Sequence, residues 1–566
     1  MRGVLAAVLQ CLLAGDLARD YLSATGASRR LFQPFVPELP GMSSVETTDT
    51  APARRRGGRS ARVALRSAPL ADDVKPIRAG MLGGTYRPLD EMGIARINQA
   101  AMDSLEQIGL GQPTASCIAY CTAAGARLSD EGRLLFPRAM VEDTIAKACR
   151  NLVLHGQDPK HDMEIGGKRV YYGTAGAATQ VIDPIAREYR NATVQDLYDA
   201  ARIVDRMDNI HFFQRPLTPT DVQDLQTLDI NTLYGPIAGT TKHVGCSFTL
   251  GTNMKMVFEL LHHVAGSEKK WRERPFVSNS NCHVVPPMKF GEDASAVLEE
   301  CVHGGMPVLL LSAGQAGATA PAALAGAVVQ AVAEVLGGLC YVNAIQAGAP
   351  AIFGTWPFVS DLRTGAMSGG SGEQALLSAA CAQMAQYYDL PGGAAAGMAD
   401  SKIPDIQAGW EKGITNVMAG LSGLNLVYES AGMHGSLLGF CLDSLVLDND
   451  ILGECLRCVR GIEVNEDSVS LDVMRSVCME GPGHYLGHNS TLELMQREYA
   501  YPEIGNRMSP KEWVENGKPD IVEKAVQVKQ GILASHFPRH IPDDLDSRLR
   551  QSYPIALTRE QMGFAA

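Results

Sequence analysis

The chain has 566 residues, 46% hydrophobic and 20% charged, with a formal net charge of −12 at neutral pH. That length holds one large barrel with additions, or two to three ordinary domains. The negative balance excludes a nucleic-acid binder as a whole, because phosphate recognition needs clustered positive charge, and no apolar run reaches the roughly 18 residues that a membrane span requires.

The first stretch, "MRGVLAAVLQCLLAGDLARDYL", imitates a secretory signal, with one Arg before a short apolar core. No small-x-small cleavage site precedes Asp16 and Arg19, so it reads as an over-extended start or a loosely attached segment. The basic run "RRRGGRSARVALR" (54–66) has no apolar period and reads as a solvated tail. Residues 1–79 are therefore set aside as a poorly ordered segment. Thirteen cysteines, an odd number spread through apolar stretches, fit reduced, buried thiols in a cytoplasmic protein.

Helical period covers 80–168, in "LDEMGIARINQAAMDSLEQIGL" (89–110) and in "FPRAMVEDTIAKAC" (136–149), where Pro137 stands at a helix-start position. From 169 to 436, eight β-type runs alternate with amphipathic segments. The runs are "RVYYGT" (169–174), "NIHFFQRP" (209–216), "KHVGCSFT" (242–249), "PFVSNSNCH" (275–283), "PVLLLSAGQ" (307–315), "PAIFGTW" (350–356), "GGAAAGM" (392–398) and "LNLVYES" (424–430). Several helical segments open on a cap residue, and Ser371 with Gln374 has capping-box spacing. Eight such units imply an α/β fold, a (β/α)8 TIM barrel. An open doubly wound sheet is the competing architecture, but no glycine-rich phosphate loop follows any run. Residues 437–566 return to helical period in "LLGFCLDSLVLDNDILGECLRCVRGI" (437–462) and "SPKEWVENGKPDIVEKAVQVKQGIL" (509–533), completing the same domain.

Barrel sites form where strands end, which selects Tyr172 and Thr174, Gln214 and Arg215, Cys282 and His283, Ser312 and Gln315, Thr355 and Trp356, Met398, and Glu429 with His434 beyond it. This set is poor in acid–base pairs and rich in aromatic and amide groups. It suits holding a polar or cationic organic molecule better than hydrolysing one. "CLRC" (455–458) has no second cysteine pair at zinc-site distance, and two glycines interrupt any helix that would align His484 with His488, so neither reads as a metal site.

Three long motifs occur in order: "DSKIPDIQAGWEK" (400–412), "SLVLDNDILG" (444–453) and "GPGHYLGHNSTLELMQREYAYP" (481–502). On these the chain, from about 80 to about 557, resembles the trimethylamine methyltransferase family of corrinoid-dependent methyltransferases. The resemblance implies a (β/α)8 barrel that presents a methylated amine to Co(I) of a corrinoid. It also implies that this cobalamin-type cofactor is carried by a separate small corrinoid protein, with no metal bound by this chain. A homo-oligomer is expected. In members acting on trimethylamine a pyrrolysine precedes the Asp-Ser-Lys cluster, and the matching position here is Met398 or Ala399. Characterised relatives without pyrrolysine act on quaternary amines, glycine betaine among them.

Chemistry supports that departure. A quaternary nitrogen is permanently charged and leaves as a neutral amine, so no proton or covalent activation is needed. Met398 can only pack against methyl groups, which leaves orientation and water exclusion as the enzyme's contribution. Such a cation is held by aromatic faces, each worth about 0.5–2 kcal/mol, and Tyr172, Phe213 and Trp356 are the candidates. Glu429 would add charge, Arg215 or His283 would hold a substrate carboxylate, and Gln315 and His434 complete the set. The expected activity is methyl transfer from a glycine betaine-like amine to the partner's corrinoid. The alternatives are the same chemistry on trimethylamine, proline betaine or carnitine, a non-catalytic betaine-binding barrel, or a barrel lyase or isomerase with Glu429 or His283 as base.

Overall fold

In the computed structural model, which describes residues 74–481 and 483–564, eight short parallel strands close on themselves. They are β1 (Arg169–Tyr172), β2 (Phe213–Gln214), β3 (Val244–Cys246), β4 (Val277–Asn281), β5 (Val308–Ser312), β6 (Ala351–Thr355), β7 (Gly392–Ala395) and β8 (Leu426–Tyr428). Each pairs with its neighbour in chain order, and β8 pairs with β1. The seam between β1 and β2 is closed by the His211 amide, which donates to the Tyr172 carbonyl at 2.7 Å, and by a parallel bridge from Gly173 to Phe212. All eight expected runs are strands of one barrel, shorter than the runs themselves. The leader-like stretch and the basic run lie outside the described residues.

The returning helices are α1 (Val194–Asp205), α2 (Leu225–Gly239), α3 (Met254–Ala265), α4 (Glu292–His303), α5 (Leu324–Ile345), α6 (Gly372–Tyr387), α7 (Ile406–Leu421) and α8 (Leu442–Arg460). Local chemistry explains their starts. Thr193 and Asp196 form a full capping box at α1. At α6 only half of the expected box exists: Ser371 Oγ accepts from the Gln374 amide, while Gln374 Nε2 donates to the Pro357 carbonyl.

Strands enclosed by helices on one side and by the barrel lumen on the other are almost wholly buried, from β5, every residue of which is buried, to the polar β4 of sequence VSNSN, where only Ser280 is partly exposed. The small residues of β7 have a packing reason. A Cβ at Gly393 would lie 2.8 Å from the Tyr428 ring, so the bare strand makes room for that ring in the lumen. α5 corrects one expectation, since by length and composition it could cross a membrane. It is instead a core helix, packed under the helices Glu91–Gln107, Ala115–Ala123 and Arg138–Lys147. The Glu334 side chain within it is fully buried and bonded to Ser312 Oγ and the Met288 amide.

The flanking helical runs are interrupted where turn residues intervene. Pro137 is the N-cap of its helix. Before α8, Met433–His434 pairs with Gly439–Phe440 as a short antiparallel ladder. Helices Pro510–Glu515 and Ile521–Ser535 are separated across Gly517 and Pro519. On the side where the barrel strands end, the loops carry two small sheets. One joins Gln315–Ala316, Phe358–Ser360 and Met367–Ser368, and the other joins the Met433 ladder to Gln180–Asp183 and Glu188–Asn191.

Candidate active site

Alternate strand residues face the helices and the lumen, and polar partners fix which is which. Cys246 Sγ contacts the Thr232 carbonyl of α2, Asn281 Nδ2 donates to the Ala294 carbonyl of α4, and Ser312 Oγ donates to Glu334 of α5. Through the register of the sheet, Tyr428, Gly393, Ile352, Leu309 and Gln214 then face the lumen. An arc of rings follows. Phe212 meets Tyr428 edge-on with centroids 5.1 Å apart, Tyr428 meets Trp356 at 5.1 Å, and Trp356 meets Phe358 at 6.4 Å. Gly173 is required beneath it, because a Cβ there would run into the Phe212 ring.

Glu429 follows Tyr428 with φ of 61°, a left-handed conformation that a glutamate adopts only when its surroundings impose it. Its carboxyl group is buried, Oε2 has no hydrogen-bond partner, and burial with no opposing charge pushes its pKa up to about 8. Trp356 Nε1 is likewise buried and unpartnered. At the end of β2, Arg215 Nη1 bonds Thr218 Oγ1 at 3.1 Å, its Nε is buried without a hydrogen-bond partner, and Asp229 of α2 lies within electrostatic reach. Cys282 lies within electrostatic reach of Arg215. The residue as a whole is exposed, while burial pushes its thiol up against the opposing effect of the guanidinium. The mouth thus carries rings from the β2, β6 and β8 runs, the lone Glu429 carboxyl group after β8, and the Arg215 guanidinium after β2, with only β1 between those two strands.

The predicted residues divide accordingly. Trp356, Glu429 and Arg215 stand at the mouth, and half-buried Gln315 accepts from Ser360 Oγ beside the Phe358 strand. Four others are turned away. Tyr172 faces the helix layer, where its hydroxyl donates to the Asn416 carbonyl of α7 at 3.0 Å. Phe213 shares the helix-facing side with Val244 and Cys246, so Phe212 is the inward ring. His283 Nε2 donates to the Glu334 carbonyl, and burial lowers its pKa to about 4. His434 Nε2 bonds Ser444 Oγ of α8 and lines a groove of about 640 Å³ with Lys412 and Asp448, whose ion pair is 2.8 Å long and almost fully buried. Sequence reasoning did not single out Tyr428. Its signal is the alternation of "LVYE", which becomes readable once one neighbour's direction is known.

Met398 is fully buried beneath the loop after β6, and a Cβ at Gly369 would lie 2.8 Å from Met398 Cβ. The Asp-Ser-Lys cluster fastens this corner. Asp400 Oδ1 accepts from the Gly369 amide and Ser436 Oγ, and Oδ2 accepts from Ser368 Oγ, each at 2.7 Å. Glu411 Oε2 accepts the amides of Asp400 and Ser401, and exposed Lys402 bonds back to the Asp400 carbonyl. His488, from the last motif, is an N-cap: its Nδ1 accepts from the Ser490 amide, and its Nε2 pairs with Ser476.

The fold is that of a barrel enzyme of the (β/α)8 class. The sequence profile of the trimethylamine methyltransferase (MTTB) family matches residues 55–563, and the chain belongs to that family and is a methyltransferase. It is 32% identical over 472 residues to trimethylamine methyltransferase MttB of Desulfitobacterium hafniense (strain DSM 10664 / DCB-2), covering 83% of this chain and 93% of that one. To the glycine betaine methyltransferase of D. hafniense (strain Y51) it is 28% identical, covering 83% and 97%. The solved monomethylamine methyltransferase MtmB of Methanosarcina barkeri aligns with a TM-score of 0.41 at 12% identity, over 78% of this chain and 92% of that one.

Proposed function

We propose that this enzyme moves a methyl group from a quaternary amine of the glycine betaine type to the Co(I) of a corrinoid carried by a separate small protein. The observation that carries the reading is Glu429, a buried carboxyl group without a partner that directly follows Tyr428 of the Phe212–Tyr428–Trp356 arc. A trimethylammonium group fits that arrangement because it needs ring faces and one counter-charge and offers no hydrogen bond. The guanidinium of Arg215, at the end of β2, offers a carboxylate anchor, so that one substrate is held by its ammonium and its carboxylate.

Met398 and the rings exclude water and align the N–methyl bond, the contribution a displacement at carbon needs when the leaving group is already charged. The corrinoid, when present, supplies the cobalt that accepts the methyl group. The rim fits a partner carrying it: Ile185, Leu225, Val285, Leu362, Ile406 and Leu438 lie on loops or helix starts after strands of the barrel, and each is between 44% and 85% exposed. Exposed apolar side chains on these rim loops support a docking role for this face. A second exposed apolar group, including Ile462, Val464, Met479 and Leu486, supports self-association in the C-terminal region.

The test is spectroscopic. The purified chain, free cob(I)alamin and glycine betaine should yield methylcobalamin. Measurable betaine binding with no methylcobalamin from any quaternary amine would replace the enzyme reading with a binding barrel, and turnover on trimethylamine alone would move the substrate.

A further inference from the structure

Met398 sits on the loop after β7, and its surroundings come from two other loops. Gly369, after β6, has no side chain where Met398 Cβ, Sδ and Cε lie, all within 3.4 Å of the missing Cβ. Behind it, the Ser436 amide donates to the Ala399 carbonyl, and the Gly435 amide to the Ser401 carbonyl. Among the described residues, only one side chain hydrogen-bonds both flanking loops at once. That is Asp400, with Gly369 and Ser368 on one side and Ser436 on the other.

We infer that Asp400 is a positioning residue that fixes Met398 in the substrate recess by clamping the loops after β6 and β8 together over the loop after β7. The effect on substrate rests on the function proposed above, whereas the clamp itself does not. Asp400 acts at one remove. Its oxygens hold the Gly369 backbone against the thioether, so that the methionine has one place and the methyl-binding wall one shape. Glu411 works from below, ordering the Asp400 and Ser401 amides, and a Cβ at Gly370 would press on its Cγ at 2.5 Å. The paired glycines of "SGGSGE" and the "MADS" motif are therefore one device. Asn at 400 keeps an oxygen for Gly369 and Ser436 and a donor for the Ser368 hydroxyl, so charge is dispensable and geometry is not.

The experiment uses the full chain labelled at methionine methyl groups, with the Met398 resonance assigned through Met398→Leu. Asp400→Ala should shift or broaden that resonance, while Asp400→Asn should keep it near its wild-type position. In kinetics, Asp400→Ala should raise KM for glycine betaine about tenfold with kcat within about threefold. The same substitution in a Met398→Ala background should change KM by no more than about twofold, because its route of action is gone. An unmoved Met398 resonance in Asp400→Ala, or an equal KM effect with and without Met398, overturns the inference. If Asp400→Ala does not fold, the double variant Ser368→Ala/Ser436→Ala removes the two side-chain donors and must move the same resonance. A wild-type enzyme that transfers no methyl group would refute the proposed function and leave the resonance arm to decide the clamp.

Discussion

The ends of β7 and β8 lie side by side at the barrel mouth and follow opposite rules. After β7, the Asp400 and Glu411 carboxylates each receive several donors, and Met398 is immobilised beneath them. After β8, Glu429 is buried in a left-handed conformation with an oxygen that nothing satisfies, next to a tryptophan whose N–H is equally unused. A buried polar group without a partner costs about 1–3 kcal/mol. The first loop is therefore built to define a shape, and the second keeps unmet interactions for something that arrives later. On the proposed function the mouth needs both, since a cation held by rings and one carboxyl group is oriented only if the adjoining wall does not move.

Substitutions sharpen this contrast in order of effect. Glu429→Gln should lower kcat/KM for glycine betaine by about 100-fold, the scale of a carboxylate–cation contact in a poorly screened site. An effect below about threefold would strip Glu429 of its role. Trp356→Ala should weaken binding by about 10- to 30-fold, consistent with the loss of one cation–π face at about 2 kcal/mol. Phe212→Leu should weaken binding a few-fold while Phe213→Leu leaves it unchanged, both measured by calorimetry, and the reverse result would invert the assigned faces of β2. Tyr172→Phe should cost about 1 kcal/mol in chemical denaturation by removing the buried hydroxyl's hydrogen bond to the Asn416 carbonyl and leave turnover within about twofold.

The pH dependence follows from the same carboxyl group. Because the Glu429 pKa is raised to about 8 by burial, the folded apoenzyme prefers it protonated. Its contribution to stability is complete below the ordinary glutamate range and is lost as pH rises through about 8. A cationic substrate stabilises the ionised form, so betaine should raise the melting temperature more at pH 9 than at pH 6. Glu429→Gln should remove that difference.

The barrel was legible in the sequence because eight short β-type runs, most of them apolar and ending in Gly, Pro or a polar residue, alternate with amphipathic helices. Direction was not. In "RVYYGT" and "NIHFFQRP" two adjacent rings compete for one inward place, and the choice depends on Asn416 and on β3, far along the chain. His283 and His434 look functional until Glu334 and Ser444 are seen to take their Nε2 atoms. The bracing role of Asp400 in the Asp-Ser-Lys cluster is hidden in the sequence for the same reason. Its partners, Ser368, Gly369 and Ser436, lie more than thirty residues away on either side.

The most direct measurement is the number of protons released when glycine betaine binds at pH 7, obtained by calorimetry in buffers of different ionisation enthalpy. A carboxyl group with a pKa of about 8, ionised on contact with a quaternary ammonium, releases close to one proton, and the Glu429→Gln enzyme releases none. Tight binding with no proton release by the wild-type enzyme would contradict the pairing of Glu429 with the substrate's charge.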